Sequence, residues 1–471
     1  MKNIFLPLAV CATTAFSLPV VLDENIHRNA DKDSVSVMRF KSDSEFLLAN
    51  NFTFRLKTGA VFSKDIENSG RIIAYVGDSI GYKAIDFVFG AFFNNQAVYG
   101  KTLDWIKPSK GNDPEDTLKS LDVYKLMLKF TPNDYVSIGL GKDYYNFGPS
   151  QIGGLLLSDY NMGFTGLYQR YKLWGFTVYG LAAQLNSTPW GYYEHSSQEV
   201  LTHRFFAYGR IEYYRDLWGI AISQAEIYAG NGRSFELQYL IPVFIYHYAQ
   251  ISNWRYGNNG EKSLGAIDAY ANFFDKKLKI YGELLIDDIQ GDKDDASQSV
   301  QNCLGFVAGA KFDVPKIIYG FAEAGQINSY VYNHVAGDAL RYQNKYALIG
   351  SPLGPDNQVY WGKIGHRFSK INLKTEAYFW LLRQGERDIN YDIETMLGTR
   401  KDKIPYGNVN RETAGWLSLV YEYKHNAAEI FCGVSNTKTE NVSGTSNTAP
   451  FFGFSINGAI TIGWDKRTKA K

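Results

Sequence analysis

With 471 residues and 49 basic against 48 acidic side chains, the chain carries a formal charge of +1, which gives no electrostatic footing for a nucleic-acid partner. Past residue 20 there is no apolar run of about 18 residues, which excludes helical membrane spans. Yet 15% of the chain is aromatic, with 34 Tyr, 30 Phe and 44 Gly against 13 Pro, and the mean hydropathy is −0.26. That composition fits strands with one apolar and one wet face.

The chain opens on Met1-Lys2-Asn3, then the apolar run Ile4 to Phe16, with small Ala15 and Ser17 ahead of Leu18. This predicts a secretory signal peptide over residues 1–17, since the run is too short to span a bilayer. Cys11 follows Leu8-Ala9-Val10, but Val10 is too bulky to precede a lipidated cysteine. Residues 18–45 read as a periplasmic N-terminal lead with one candidate short strand, Val35 to Phe40.

From there, period-two segments recur eighteen times, at 46–62, 70–78, 83–94, 121–131, 134–144, 162–171, 174–186, 204–215, 217–229, 263–275, 277–287, 302–313, 316–328, 357–368, 371–383, 413–424, 427–437 and 450–464. In the clearest, Leu278, Ile280, Gly282, Leu284 and Ile286 share one face, opposite Lys279, Tyr281, Glu283 and Asp287. A sandwich strand has the same period, so the connections decide. Tight ones, such as Thr131 to Asp134, Lys172 to Trp174 and Val314-Pro315, alternate with long polar ones at 95–120, 145–161, 187–203, 230–262, 288–301, 329–356, 384–412 and 438–449. Short periplasmic turns and long outside loops make that layout in a transmembrane barrel. The prediction is all-β: an antiparallel transmembrane β-barrel of about 18 strands over residues 46–464. An even strand count returns both ends to the periplasm, and closure leaves no backbone edge in lipid. Trp464 is followed by a basic C-terminal tail, residues 465–471.

The connection 230–262 contains the apolar stretch Phe235 to Ala249, which a solvated loop would not tolerate, interrupted by Pro242. It is expected to fold inward and plug or narrow the lumen; the alternative is an additional strand pair.

Chemical motifs are sparse. There is no Gly-x-Ser-x-Gly elbow, His-Glu-x-x-His pair or phosphate loop. His195, His203, His247 and His366 have no ligand-spaced partner, and Gly291-Asp292-Lys293-Asp294-Asp295 lacks the glycine and distal Glu of a calcium loop. Glu283 with Asp287 or Asp288 could serve as paired glycosidase carboxylates only in a cleft. Cys303 and Cys432 either pair or stay as single thiols. No enzyme activity, metal or cofactor is expected.

Several short motifs resemble the capsule assembly Wzi family of outer-membrane barrels. The strongest is Tyr281-Gly282-Glu283-Leu284-Leu285-Ile286-Asp287-Asp288-Ile289-Gln290. Others are Glu226-Ile227-Tyr228 leading to Leu240-Ile241-Pro242, with Ile241 where Asn is commoner; Gly141-Lys142-Asp143 with Phe147-Gly148-Pro149; Leu155-Leu156-Leu157-Ser158; and Pro352-Leu353-Gly354-Pro355-Asp356. The resemblance covers roughly residues 130–370. It implies binding and assembly of surface polysaccharide, with outer-membrane lipid and that polysaccharide as partners.

In this topology the strands ending near 144, 229 and 287 run outward. They bring Asp143, Glu226, Tyr228, Glu283, Asp287 and Asp288 to the rim, beside the loop that carries Arg233. Carboxylates, an arginine and aromatic rings at a concave mouth suit sugar hydroxyls and C–H faces. The same charges could instead anchor a plug. A porin or uptake channel is the alternative function, and an open lumen would favour it.

Overall fold

A computed structural model describes residues 48–465 except 64–68, 83, 98–117, 160–162, 190–200, 231, 244, 256–259, 290–300, 335–338, 345–346, 390, 392–398, 400–401, 424–425, 441 and 443–445. The expected leader, N-terminal lead and basic tail lie outside the described residues. Among the described residues there are eighteen long strands: β1 (Leu48–Ser63), β2 (Ser69–Tyr82), β3 (Ile85–Ala97), β4 (Leu118–Asn133), β5 (Val136–Asp143), β6 (Phe164–Leu173), β7 (Phe176–Gln184), β8 (Leu201–Tyr214), β9 (Trp218–Gly230), β10 (Glu261–Phe273), β11 (Leu278–Asp288), β12 (Cys303–Val314), β13 (Ile318–Ile327), β14 (Asn357–Phe368), β15 (Leu373–Gln384), β16 (Asn410–Tyr423), β17 (Asn426–Thr439) and β18 (Asn447–Asp465). Each pairs antiparallel with its sequence neighbours, and β1 pairs with β18 from Ala49↔Asp465 to Ser63↔Phe451, which closes the barrel. All eighteen sequence-derived segments fall on these strands.

The period-two phase separates two faces. On β9, Ile220 and Ile222 are 43% and 59% exposed while Ala221 and Ala225 are buried. Leu126, Leu128 and Phe130 of β4, Phe379 of β15 and Leu417 of β16 are likewise exposed, in the phase opposite to Lys125 of β4, Lys374 and Glu376 of β15 and Glu422 of β16. That apolar outer surface is a lipid-facing belt. The short turns are built for tightness: Trp174 and Gly175 have φ of 50° and 87°, the two positive values a two-residue hairpin turn requires. Cys303 points inward and is buried, whereas Cys432 is exposed on the outer face, so opposite sides of the wall keep both thiols free.

One expectation is overturned. The described residues of the 230–262 connection do not enter the lumen; they lie on the outside of the wall. Its described part contains a 3-10 turn, Leu237–Leu240, and helix α1, Tyr246–Arg255. Gln169, Gly180, Gly209 and Gln224 form one cross-strand row over β6 to β9, in phase with lipid-facing Ile220 and Ile222. Gln169 Nε2 donates to the Leu240 carbonyl at 2.9 Å, and the Tyr246 N–H donates to Gln224 Oε1 at 3.1 Å. Between them the two glycines leave a trough for Pro242: a Cβ on Gly209 would sit 2.2 Å from the Pro242 carbonyl oxygen, and one on Gly180 3.0 Å from its Cβ. Composition marked this run as buried but could not say on which side of the wall. We call it the strap. Gly209→Val is expected to lift it from the wall, read as protease cleavage between residues 233 and 255 that the parent protein resists, with barrel closure retained.

Candidate functional site

Two other connections fill the lumen. The β5–β6 segment (144–163) turns inward, with Leu155, Leu156 and Leu157 buried. The β13–β14 segment (328–356) folds against it, with Tyr330, Val331, Tyr332, Tyr342 and Ile349 buried. They are tied together by Ser158 N–H to the Ile349 carbonyl (2.9 Å), Ser158 Oγ to the Gly350 carbonyl (2.6 Å), Tyr332 OH to the Leu155 carbonyl (2.5 Å) and Tyr342 OH to the Leu156 carbonyl (2.8 Å). Their apolar side chains join inward residues of β6 to β13 in one core. Ile152 and Leu353 reach the other wall, packing with Trp361, Trp380, Trp416 and Phe431. The stopper therefore spans the barrel from wall to wall.

Irregular segments in a barrel interior need partners for backbone groups that no ladder satisfies. The wall supplies them as charged side chains. Glu323 of β13 accepts from Ser150 Oγ (3.0 Å), Gln151 N–H (2.8 Å), Tyr281 OH (2.9 Å) and Trp361 Nε1 (3.3 Å). Glu283 of β11 accepts from the Leu155 N–H at 2.8 Å, and Gly148 keeps its approach open, since a Cβ there would stand 2.4 Å from Glu283 Oε2. Asp287 accepts from the Tyr332 N–H (2.6 Å) and pairs with Lys262 (2.6 Å), whose Nζ also donates to the Asn333 carbonyl. Arg204 is fully buried and donates to the carbonyls of Ala339, Arg341 and Gln343 at 2.7–2.9 Å. Charge-assisted bonds of this kind are roughly twice as strong as neutral ones. At the lip of the stopper, Asp356 accepts from Ser329 Oγ and the N–H groups of Arg387 and Tyr406. Burial pushes its carboxyl above the ordinary value, and these donors oppose the rise.

Toward the short-turn end the inner wall changes character. Cross-strand pairs Lys363–Glu376 (3.1 Å), Arg367–Asp313 (2.7 Å) and Lys374–Glu422 (2.5 Å) line it, with Arg367, Asp313 and Glu422 37%, 49% and 46% exposed at the side chain. Deeper, Arg210 holds Asp268 through two bonds of 2.6 and 3.1 Å, with Tyr214 OH on the same carboxylate. The arrangement is a charged vestibule on the periplasmic side of a polar-anchored stopper.

The seven sequence-derived candidates do not form one site. Glu283 and Asp287 face inward and hold the stopper. Asp143 also faces inward, paired with Lys125 at 3.0 Å and accepting from the Tyr144 N–H. Glu226 and Tyr228 lie on the outer face under the strap: Ser263 Oγ donates to Glu226, and the Tyr228 ring stacks on Tyr239 at 4.2 Å. Arg233 belongs to the strap and pairs with Glu236 (2.7 Å) and Glu261 (2.6 Å). Asp288 ends β11, exposed, beyond a register shift between Ile286 and Asp288. The barrel wall thus divides the predicted cluster in two. Arg204, Lys262 and Glu323 were missed; each is a charge in the inward phase of its strand. Among the described residues no group of three or more His, Cys, Asp or Glu could hold a metal.

No protein-family profile and no curated protein matches the chain. Solved structures do. Pseudomonas aeruginosa OccD3 (OpdP) is similar at 9% identity, with 92% of this chain and 98% of that one covered and a TM-score of 0.50. Acinetobacter baumannii OccAB4 is 10% identical over 88% of this chain and 98% of that one, TM-score 0.49. Pseudomonas aeruginosa OccK11 (OpdR) is 7% identical over 90% and 100%, TM-score 0.48. The chain has an outer-membrane β-barrel fold like that of the OprD/Occ channels.

Proposed function

We propose that the protein is an outer-membrane channel closed by its own loops, which passes polar solutes selectively and is not a free-diffusion pore. One observation carries this reading: a charged, half-exposed inner wall lies beneath a stopper held by wall carboxylates. Paired charges of both signs give a hydrated path for polar solutes. Wall bonds that a solute could replace give the stopper a way to yield. No catalytic role is proposed for Glu283, Asp287 or Asp288.

A second reading, binding and assembly of surface polysaccharide, is favoured by a different observation. Many residues that carry the Wzi resemblance belong to the stopper or its anchors: Phe147-Gly148-Pro149, Leu155 to Ser158, Glu283, Asp287 and Pro352 to Asp356. What the motifs have in common is then a loop-filled barrel. Under this reading Glu283 and Asp287 keep the stopper in shape for a polymer on its outer side.

Swelling of proteoliposomes separates the two. The channel reading expects slow entry of small charged and hydroxylated solutes, and a changed preference between anionic and cationic solutes in Lys363→Glu. Impermeability to every small solute, together with loss of retained surface polysaccharide in cells lacking the protein, would support the second reading and sink the first.

A further inference from the structure

The two halves of the stopper are held in different ways. Among the described residues of 144–163, positive φ falls on Gly148, Gly153 and Gly163, at 120°, 143° and 73°, a conformation glycine takes without steric cost. In 328–356 it falls on Gly354 but also on Tyr330, Tyr332 and Asp356, the last three at 66°, 69° and 59°. A tyrosine there sets its Cβ against the carbonyl that follows, so residues 329–332 carry backbone strain that 144–163 lacks. What each half would leave behind also differs. Lifting 150–155 strips Glu323 and Glu283 of the donors described above. Moving Tyr332 takes one N–H from Asp287, which keeps Lys262 at 2.6 Å, and one hydroxyl from the Leu155 carbonyl. That move leaves no buried charge alone.

The strained residues are pinned by a third connection. Arg387, in the described part of the β15–β16 loop, is 3% exposed. Its guanidinium lies 3.4 Å from the centre of the Tyr406 ring, 5.0 Å from that of Tyr330 and 5.8 Å from that of Tyr391. Its Nη2 donates to Asp402 at 2.7 Å, and its backbone N–H donates to Asp356, which also accepts from Ser329 Oγ. One residue thus holds Tyr330 through its charge and Asp356 through its backbone. Yet Nε and Nη1 of Arg387 are buried with no hydrogen-bond partner among the described residues, so the contact is kept at a cost. Resting on the channel reading, in which the stopper yields, we propose that residues 329–332 are its moving part, that 144–163 is its fixed part, and that Arg387 is the latch. Release of Arg387 lets Tyr330 and Tyr332 return to ordinary backbone angles and draws the Tyr332 ring out of the core.

Hydrogen exchange of the full-length protein in lipid vesicles tests this, with heat-modifiable migration as the check on folding. Arg387→Ala is expected to speed exchange about tenfold over residues 329–334, and at least three times more there than over 147–157. Arg387→Lys, which keeps a cation over the rings, should loosen 329–334 less than the Ala variant does. No rise over 329–334, or one less than three times that over 147–157, would overturn the proposal: the stopper would be latched elsewhere or move as one body. Strain is read from two variants that lose the same ring. Tyr330→Gly removes ring and strain, Tyr330→Ala the ring alone, so 329–334 should exchange about threefold more slowly in the Gly variant, against glycine's usual loosening of a chain. Equal or faster exchange in the Gly variant would place the moving part elsewhere. Exchange is measured without solute, so a failure of the channel reading shows separately. Selective loosening in Arg387→Ala with vesicles still impermeable would sink that reading and leave the latch standing.

Discussion

Replacing Glu283 and Glu323 together by Ala is expected to loosen the stopper and leave the barrel closed. Glu323 alone satisfies four donors, from Ser150, Gln151, Tyr281 and Trp361, and Glu283 satisfies the Leu155 N–H. A buried donor left without an acceptor costs about 1–3 kcal/mol. Three of these five donors belong to residues 150–155, so the loss falls on that segment more than on the strands. Strand pairing is unaffected, because neither side chain takes part in the ladder. Hydrogen exchange at residues 147–157 should rise by at least tenfold while amides of β11 and β13 keep their protection. Uniform loss of protection across the barrel would show instead that these carboxylates stabilise the wall.

The second large effect is expected at Arg210. Its guanidinium is buried and holds Asp268 bidentately, with Ser223 Oγ on the same Nη1. Arg210→Ala would leave Asp268, 2% exposed, without its counter-charge. Removing one partner of a buried pair costs about 3–5 kcal/mol, whereas replacing both by apolar residues is often close to neutral. Arg210→Ala should therefore lower the urea midpoint of the folded barrel in lipid vesicles markedly, and Arg210→Leu with Asp268→Leu should recover part of the loss, the remainder falling on Glu212, which pairs with Arg210 at 3.2 Å. A double variant as unstable as the single one would mean that the pair positions other groups, such as Phe147, whose ring lies 5.5 Å from the Arg210 guanidinium.

The barrel was legible because lipid imposes a strict rule. Every strand needs an apolar outer phase, so Leu278 to Ile286 and Leu373 to Leu381 announce themselves, and connection lengths give the direction of each strand. The stopper was not legible in the same way. The Phe235 to Ala249 run is apolar enough to demand burial, yet the inside and outside of a wall bury apolar side chains equally well. The signal that separates them was present on β9. Trp218, Ile220 and Ile222 set the outward phase, and Gln224, Glu226 and Tyr228 continue it. Polar side chains in a lipid-facing row mean that something other than lipid covers them. Conversely Arg204, Lys262 and Glu323 stand in inward phase beside small or apolar neighbours, a pattern that asks for backbone partners from elsewhere in the chain. Strand direction gathered Glu226 and Glu283 into one cluster because it places both near the outer rim and takes no account of phase. Phase would have placed them on opposite faces.

The described residues of 144–163 and 328–356 fill the lumen, while those of the strap lie outside it. Single-channel conductance in a planar bilayer tests this with two shortened proteins, one lacking residues 331–349 and one lacking residues 234–256. The structure predicts small or silent steps for the parent and for the strap deletion, and large steady steps for the interior deletion. Large steps from the strap deletion, or none from the interior one, would contradict it.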